Sequence, residues 1–519
     1  MGGWSVQLDE LRRRIDLVAE RGGPEGIARQ RRNGKLVVTE RIERLVDPGS
    51  FEALGQLRGQ GVYDERGGLE GFTPLAQIDG FGRIDGRKVV VMAGDFTVRG
   101  GSASGAGGGL GQEPLPQERA IQWRIPYVRL LDSAGGSVRS FEELGRTYLP
   151  DGNVWTQYDV DLLSVVPVVS AVLGSVAGLP ALHAALAHFN VMTRDTGQVF
   201  PGGPPVVREA TGVEIGKEEL GGHQIHTRVS GVIDNVAGSE DEAIAMIRRF
   251  LSYLPSSVHE VPERHEPRPP AADAVDLDDV VPRNPRATFR SHDLITALVD
   301  EDSFFEIAPG YGRARTVGLA RIDGYPVGIM VNNPMHLGGA TDVAAGDKVT
   351  RLINLCDTFH LPLIDLADEP GLMVGLDSER AGIERAGARL ICAVIDSRMP
   401  WLTFVVRRLY GVGGQAHHRP RGMYRRYAWP SAAWGSMHIL GGAAAAYRRE
   451  IEAADDPEAK RAEIEARLLR IASPFRTAEA TGQDIIAPSR SRAAAVEFVA
   501  DAQRLLADQV GPPPNRYRP

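Results

Sequence analysis

A chain of 519 residues is longer than one hydrophobic core sustains, so more than one domain is expected. With 43% hydrophobic and 24% charged residues it reads as a folded globular chain, and a net charge of −8 argues against a general nucleic-acid-binding surface. Only two cysteines occur, Cys356 and Cys392, which excludes a disulfide framework and suits a reducing cytoplasm.

The first residues, MGGWSVQLDELRRRID, contain no apolar signal core, and Val6 breaks the myristoylation pattern. A helix is predicted over TERIERLVD (39–47), stopped by Gly49-Ser50-Phe51, which sends a Phe toward the core. A short extended pair follows around the Arg83-Ile84-Asp85-Gly86 turn. Next comes GGSASGAGGGLG (100–111), which fits neither the dinucleotide fingerprint nor a P-loop, so a flexible turn beside a ligand is expected there. Leu162 to Phe189 carries no Asp, Glu, Lys or Arg and is long enough to span a membrane. Pro167 and Pro180 interrupt it, and its β-branched first part and helical second part predict a buried strand, turn and helix. His223 and His226, like His417 and His418, lack the third ligand a metal site needs, and no metal is expected. The stretch 258–285 holds six prolines and reads as a stiff linker.

Beyond the linker the chain repeats itself. Leu45, Val46, Asp47, Ser50 and Phe51 return as Leu298, Val299, Asp300, Ser303 and Phe304. Arg83 to Gly86 return as Arg321 to Gly324, Gly100-Gly101 as Gly338-Gly339, and Pro126 and Asp132 as Pro362 and Asp368. Pro167 and Gly178 return as Pro400 and Gly411. These matches are collinear and their spacing only shrinks, from 253 to 233 residues, as in a duplicated domain with loop deletions. Each half reads as α/β, with a leading helix, a strand pair, then strands alternating with helices. Two further helices are predicted over 454–475 and 490–508.

No GxSxG elbow is present and neither cysteine has a neighbouring His, so side-chain nucleophiles find little support. The duplication instead pairs two Gly-rich strand-to-helix junctions, Ala177-Gly178-Leu179 and Tyr410-Gly411-Val412-Gly413. A turn of that kind exposes backbone N–H groups and can act as an oxyanion hole.

These residues resemble the carboxyltransferase (β) subunits of biotin-dependent acyl-CoA carboxylases, of the propionyl-CoA and methylcrotonyl-CoA type. The likeness is carried by GKLVVTERIERLVDPGSFEALG (34–55), RLLDSAGGSV (129–138), GPPVVREATGVEIGKEELGGHQIHTRVSGV (203–232), LARIDGYPVGIMVNNP (319–334), DEPGLMVG (368–375), GIERAGARLI (382–391), RYAWP (426–430) and GQDIIAPSRSR (482–492). The segment 203–232 and the DEPGLMVG and RYAWP pair look most like the methylcrotonyl branch.

The resemblance implies two duplicated crotonase-like domains built from ββα superhelical turns. The first, residues 1–257, would hold acyl-CoA, and 258–285 would be the linker. The second, 286–519, would receive carboxybiotin from a biotin carboxylase and carrier (α) subunit. Biotin rides on that partner, and this chain lacks the Ala-Met-Lys-Met attachment pattern. Trimers of dimers are the implied assembly, with no nucleic acid and no membrane. In the implied mechanism carboxybiotin releases CO2, its ureido nitrogen takes the α-proton of the thioester, and the enolate attacks CO2. Gly178, Leu179, Gly411, Val412 and Gly413 would supply backbone donors. Ser133, Gly135, Gly136, Ser137 and Ala177 would border acyl-CoA, and Pro370, Gly371, Gly375 and Gln415 the biotin. Where the family has Ala-Gly-Gly-Ala this chain has Ala177-Gly178-Leu179-Pro180, and Pro180 has no N–H. Tyr410-Gly411-Val412-Gly413 replaces Tyr-Gly-Gly-Ala, and Gln415 stands where an acidic residue varies with acyl preference. A biotin-independent CoA-ester decarboxylase or other crotonase-type enzyme, and a non-catalytic scaffold subunit, are the alternatives.

Overall fold

In the computed structural model, residues 3–102, 115–147, 154–284, 287–419 and 421–519 are described. Most of the Gly-rich run 100–111 lies outside them, so the turn expected beside a ligand there is followed only at Gly100 and Gly101. The chain divides into two compact units, at His259 and Glu260.

Beside a separate antiparallel hairpin of Gly59–Tyr63 and Leu69–Pro74, the first unit is built on one main sheet. Its strands are β1 (Glu52–Leu54), β2 (Gln77–Ile84), β3 (Arg87–Gly94), β4 (Tyr127–Ser133), β5 (Val168–Ala177), β6 (Phe189–Thr193), β7 (Gln198–Phe200) and β8 (Asn235–Ala237). The order across the sheet is β1-β2-β3-β4-β5-β6-β8, with β7 pairing the end of β5. Pairing is antiparallel from β1 to β3 and parallel from there on. Strand β5 is covered on both faces over most of its length, which is why it reads as a nearly continuous apolar run and not as an alternating pattern.

The second unit repeats this strand for strand. It has β9 (Phe305–Ile307), β10 (Arg315–Ile322), β11 (Tyr325–Asn332), β12 (Leu363–Glu369), β13 (Trp401–Tyr410), β14 (Tyr424–Ala428), β15 (Ala433–Gly435) and β16 (Asp484–Ile485). The order is β9-β10-β11-β12-β13-β14-β16, with β15 on the end of β13. Even the irregularities recur. The β4/β5 register shifts between Leu131 and Ser133, and the β12/β13 register between Ala367 and Glu369, so Asp132 and Asp368 sit in matching bulges.

The leading helices run Val38–Leu45 and Ser291–Leu298, and the residues the sequence repeats after them are a staple. Asp47 accepts the N–H groups of Asp85 (3.1 Å) and Gly86 (2.8 Å), and Ser50 accepts that of Arg83. Asp300 likewise takes Asp323 (3.0 Å) and Gly324 (2.7 Å), and Ser303 takes Arg321. Both turns are left-handed at Asp and Gly, so their N–H groups point outward and need such a partner. Phe51 and Phe304 are half-buried, not deep in the core, and rest on Gly80 and Gly318, where a Cβ would collide with them.

The Pro-rich segment is not a free tether. Leu277 is buried in the core of the second unit, and Pro269 O, Arg264 and Asp278 bind Glu301, Asp323 and Ser489 there. The apolar run 162–189 is divided into β5 and the helix Leu179–Ala185. Among the described residues no helix is long and apolar enough to cross a membrane. The predicted C-terminal helices are Pro457–Ile471 and Ser491–Asp508. Before β1 the helices Ser5–Ala19 and Gly23–Arg32 add to what the sequence reading named.

Candidate active site

At the C-terminal end of β5 the chain turns sharply at Gly178, whose φ of 66° only glycine adopts without strain, and enters the helix Leu179–Ala185. At the end of β13, Gly411 does the same with φ 61° and opens the helix Gly411–Gln415. The expected correspondence of the two junctions is thus present in the backbone. Their donors differ, however. The Gly178 N–H already binds the carbonyls of Phe200 (3.3 Å) and Pro201 (3.2 Å), and Pro180 has none to give. Among the described residues the Leu179 N–H has no partner, so the expected pair of donors reduces to this one. In the second unit, the N–H groups of both Val412 and Gly413 lack partners among the described residues.

A second glycine turn braces each junction. Gly135, with φ 79°, lies so close to the Ala177 carbonyl that a Cβ would stand 2.5 Å from it. Gly371, at the same place after β12, meets Gly413, whose Cβ would be 3.1 Å from Gly371 Cα. Both turns are held by the side chain two residues earlier. Ser133 Oγ accepts the Gly135 N–H (3.2 Å) and donates to Gly101 O (2.6 Å), and Glu369 accepts the Gly371 N–H (2.8 Å). The Ser133 hydroxyl is therefore spent inside the protein. Gly136 is exposed, and Ser137 and Ala177 are half-buried around the same turn.

Of the residues expected on the biotin side, Gln415 lines a cleft of ≈390 Å³ with Gly411 and Gly414. Its walls include Ile391, Val394 and Leu409, and its polar groups are Gln415, His418 and Arg426. The cleft thus joins apolar walls to an amide, an imidazole and a guanidinium, the general make-up of a small-molecule site. Gly371, preceded by Pro370, borders the Gly413 turn, while Gly375 is exposed and caps the helix Leu376–Ala381.

Each junction stands on a buried charged residue of the neighbouring strand. Arg129 donates to the carbonyls of His183 (3.2 Å) and Leu186 (2.7 Å), and to Asp159 at 2.7 Å. Burial pushes the Asp159 carboxyl up, but His183, Arg129 and Gln117 outweigh it and hold the group down at about 2. The matching residue, Asp365, binds His417 Nδ1 at 2.8 Å. His417 Nε2 faces Glu369 Oε2 (3.4 Å), which also accepts from Thr341 (2.7 Å) and Arg315. Burial alone would push Glu369 up, yet Arg315, His417 and Thr341 bring it to about 2. Burial likewise works against the charged imidazole, and Asp365 and Glu369 raise His417 in spite of it. The sequence weighed His417 only as a metal ligand and passed over Glu369, Arg315, Asp365 and Thr341. The consecutive acids of Asp368-Glu369-Pro370 at a strand end were the available signal. In the other histidine pair, His226 binds Val199 O (2.8 Å) on β7 and Ser230 (3.0 Å).

Residues 29–507 match the carboxyl transferase domain family. The chain is 35% identical to the propionyl-CoA carboxylase carboxyltransferase subunit of Haloferax mediterranei, over 98% of both chains. It is 31% identical to the methylmalonyl-CoA decarboxylase subunit alpha of Veillonella parvula, over 95% of both. A transcarboxylase 12S crystal structure, described as a hexamer with methylmalonyl-coenzyme A and methylmalonic acid bound, superposes with a TM-score of 0.84. That match has 31% identity and covers 99% of this chain and 96% of the other. These relatives are of the propionyl- and methylmalonyl-CoA kind, whereas the motif likeness leaned toward the methylcrotonyl branch. The duplicated, crotonase-like α/β fold is the one expected. The chain belongs to the carboxyl transferase domain family, as a carboxyltransferase subunit of the biotin-dependent acyl-CoA carboxylase and transcarboxylase type.

Proposed function

We propose that the two strand-end turns are a pair of backbone oxyanion holes, one for the thioester and one for the carboxyl donor. The observation that carries this is the recurrence of one turn, left-handed Gly178 and Gly411 with N–H groups just beyond that lack partners among the described residues, at the ends of matched strands. In the first unit the Leu179 N–H meets the thioester oxygen, with Gly135, Gly136, Ser137 and Ala177 around the acyl group. As the α-carbon loses its proton, negative charge gathers on that oxygen, and an N–H already in place stabilises it without reorganisation. In the second unit Val412 and Gly413 face the donor, and Gln415, Pro370 and Gly371 hold it. Biotin, bound to a partner carrier subunit, supplies the carboxyl group when it docks there. A short acyl-CoA of the propionyl class is the substrate, and a hexamer is the assembly.

The test reconstitutes the chain with a biotinylated partner and follows radiolabelled bicarbonate into a panel of acyl-CoAs. Label on a short acyl-CoA supports the reading, and no label on any substrate favours a scaffold subunit. The likeness to a methylmalonyl-CoA decarboxylase subunit favours a second reading, in which the carboxyl group travels the other way. Release of CO2 from methylmalonyl-CoA without any biotinylated partner would establish the biotin-independent form of that alternative.

A further inference from the structure

Glu369 and Ser133 close β12 and β4 at the same place, and each holds the glycine turn that follows. A neutral hydroxyl does this in the first unit, so the fold does not require a charge there. The second unit nevertheless buries Glu369, Arg315, Asp365 and His417 together, each with a side chain no more than 2% exposed. Burying ions is costly, and well-packed apolar replacements often cost nothing in stability. The reason for the charges lies in what they touch. A Cβ on Gly413 would stand 3.1 Å from the Glu369 carboxyl carbon, so this carboxylate packs against the turn that carries the Val412 and Gly413 N–H groups. An uncompensated anion there would oppose any negative charge those groups receive.

Arg315 and His417 both reach Glu369 Oε2. Asp365 takes the other ring nitrogen of His417, and the Tyr424 hydroxyl donates to the His417 carbonyl at 3.2 Å. Arg315 also lies 3.3 Å from His417 Nε2 and opposes a charge on the ring, but the two carboxylates outweigh it. These are the charged and titratable groups facing the imidazole. With the ring protonated, two cations meet two carboxylates. With the ring neutral, one negative charge is left over beneath the turn.

We propose that His417 is a positioning residue for the donor-side turn: its imidazolium, with Arg315, cancels the Glu369 carboxylate under Gly413 and so lets Val412 and Gly413 stabilise an oxyanion. The inference rests on the oxyanion reading of that turn and adds a proton-controlled setting to it.

The experiment uses the full chain reconstituted with its biotinylated partner and compares wild type, His417→Gln, Glu369→Gln and the double variant. His417→Gln leaves a net negative charge and should lose about tenfold in kcat with KM for acyl-CoA unchanged. The double variant is neutral again and should regain most of that loss, whereas a merely structural role would make it worse than either single change. Wild-type kcat should fall on the alkaline side, and His417→Gln should lack that limb. If the single variants do not fold, Thr341→Val removes one hydrogen bond from Glu369 and should displace the same limb. Wild-type kcat in His417→Gln, or no recovery in the double variant, overturns the proposal. Normal turnover in Val412→Pro would instead refute the oxyanion reading. The charge pairing is then judged by the alkaline dependence of the melting temperature, which needs no turnover. Its presence in wild type and absence in His417→Gln supports the pairing, and equal behaviour overturns it.

Discussion

Gly174 and Arg407 occupy the same place in β5 and β13, and the space one leaves open the other fills. A Cβ on Gly174 would stand 2.0 Å from Asp132 Oδ1. Asp132 is instead neutralised from a distance in sequence, by Lys35 (2.9 Å) and Arg41 (3.0 Å). Arg407 brings its own guanidinium to Asp368, at 2.8 Å, beside Arg408 at 2.7 Å. One buried acid, duplicated, has thus acquired two sources of positive charge. Removing one partner of such a buried pair costs about 3–5 kcal/mol. Asp132→Asn should therefore destabilise the first unit by about that much in urea melts, and Gly174→Ala by about 1–3 kcal/mol through overpacking.

The Asp47 and Asp300 staples should differ in worth. Asp47 is part-exposed, whereas Asp300 is buried and also holds Arg492 at 2.8 Å. Asp47→Ala should cost about 1 kcal/mol and Asp300→Ala about 2–3 kcal/mol, because only the second leaves N–H groups unpaired away from water. Thermal unfolding of the two variants measures the difference.

The pH response has two sides. The His417 pKa is raised on folding above its ordinary 6.5, because Asp365 and Glu369 outweigh burial. Its stabilisation is complete below 6.5 and is lost as pH rises through the raised value. Asp159 and Glu369 are held down at about 2, against burial, by His183 and Arg129 and by Arg315 and His417. Their contribution is present above their ordinary values, 3.8 and 4.5, and is lost as pH falls toward 2. Melting temperatures of Asp159→Asn and His417→Gln should accordingly flatten the acid and alkaline arms respectively.

Removing a backbone donor tests the turns without touching a side chain's charge. Leu179→Pro and Val412→Pro should each lower kcat by about 10²–10³ in the reconstituted reaction. Gly135→Ala, at φ 79° and 2.5 Å from Ala177 O, should raise KM for acyl-CoA as the first turn is pushed aside. A Gly135→Ala enzyme with unaltered KM would remove that turn from the acyl site.

The duplication was legible because it lives in short local motifs. Asp47 with Asp85-Gly86, and Asp300 with Asp323-Gly324, need the same residue types at the same turn, so the letters repeat. The pairing of Gly178 with Gly411 followed from that register. The half-burial of Phe51 was not legible, since Gly80, which receives it, lies on another strand. Nor was the engagement of the Gly178 N–H, because Phe200 and Pro201 reach it from a strand that the sequence showed no reason to place there.

By itself the sequence determined that there are two α/β halves and which glycines end the matched strands. Those features depend on backbone conformation and on neighbours a few residues apart. Only the tertiary structure decided the charges beneath the turns. Lys35 and Arg41 reach Asp132 across about ninety residues or more, and Arg315, Glu369 and His417 come from three separate elements. Ion pairs in a core are selected by burial and distance after the sheet has formed, and neither quantity is written in the order of the residues.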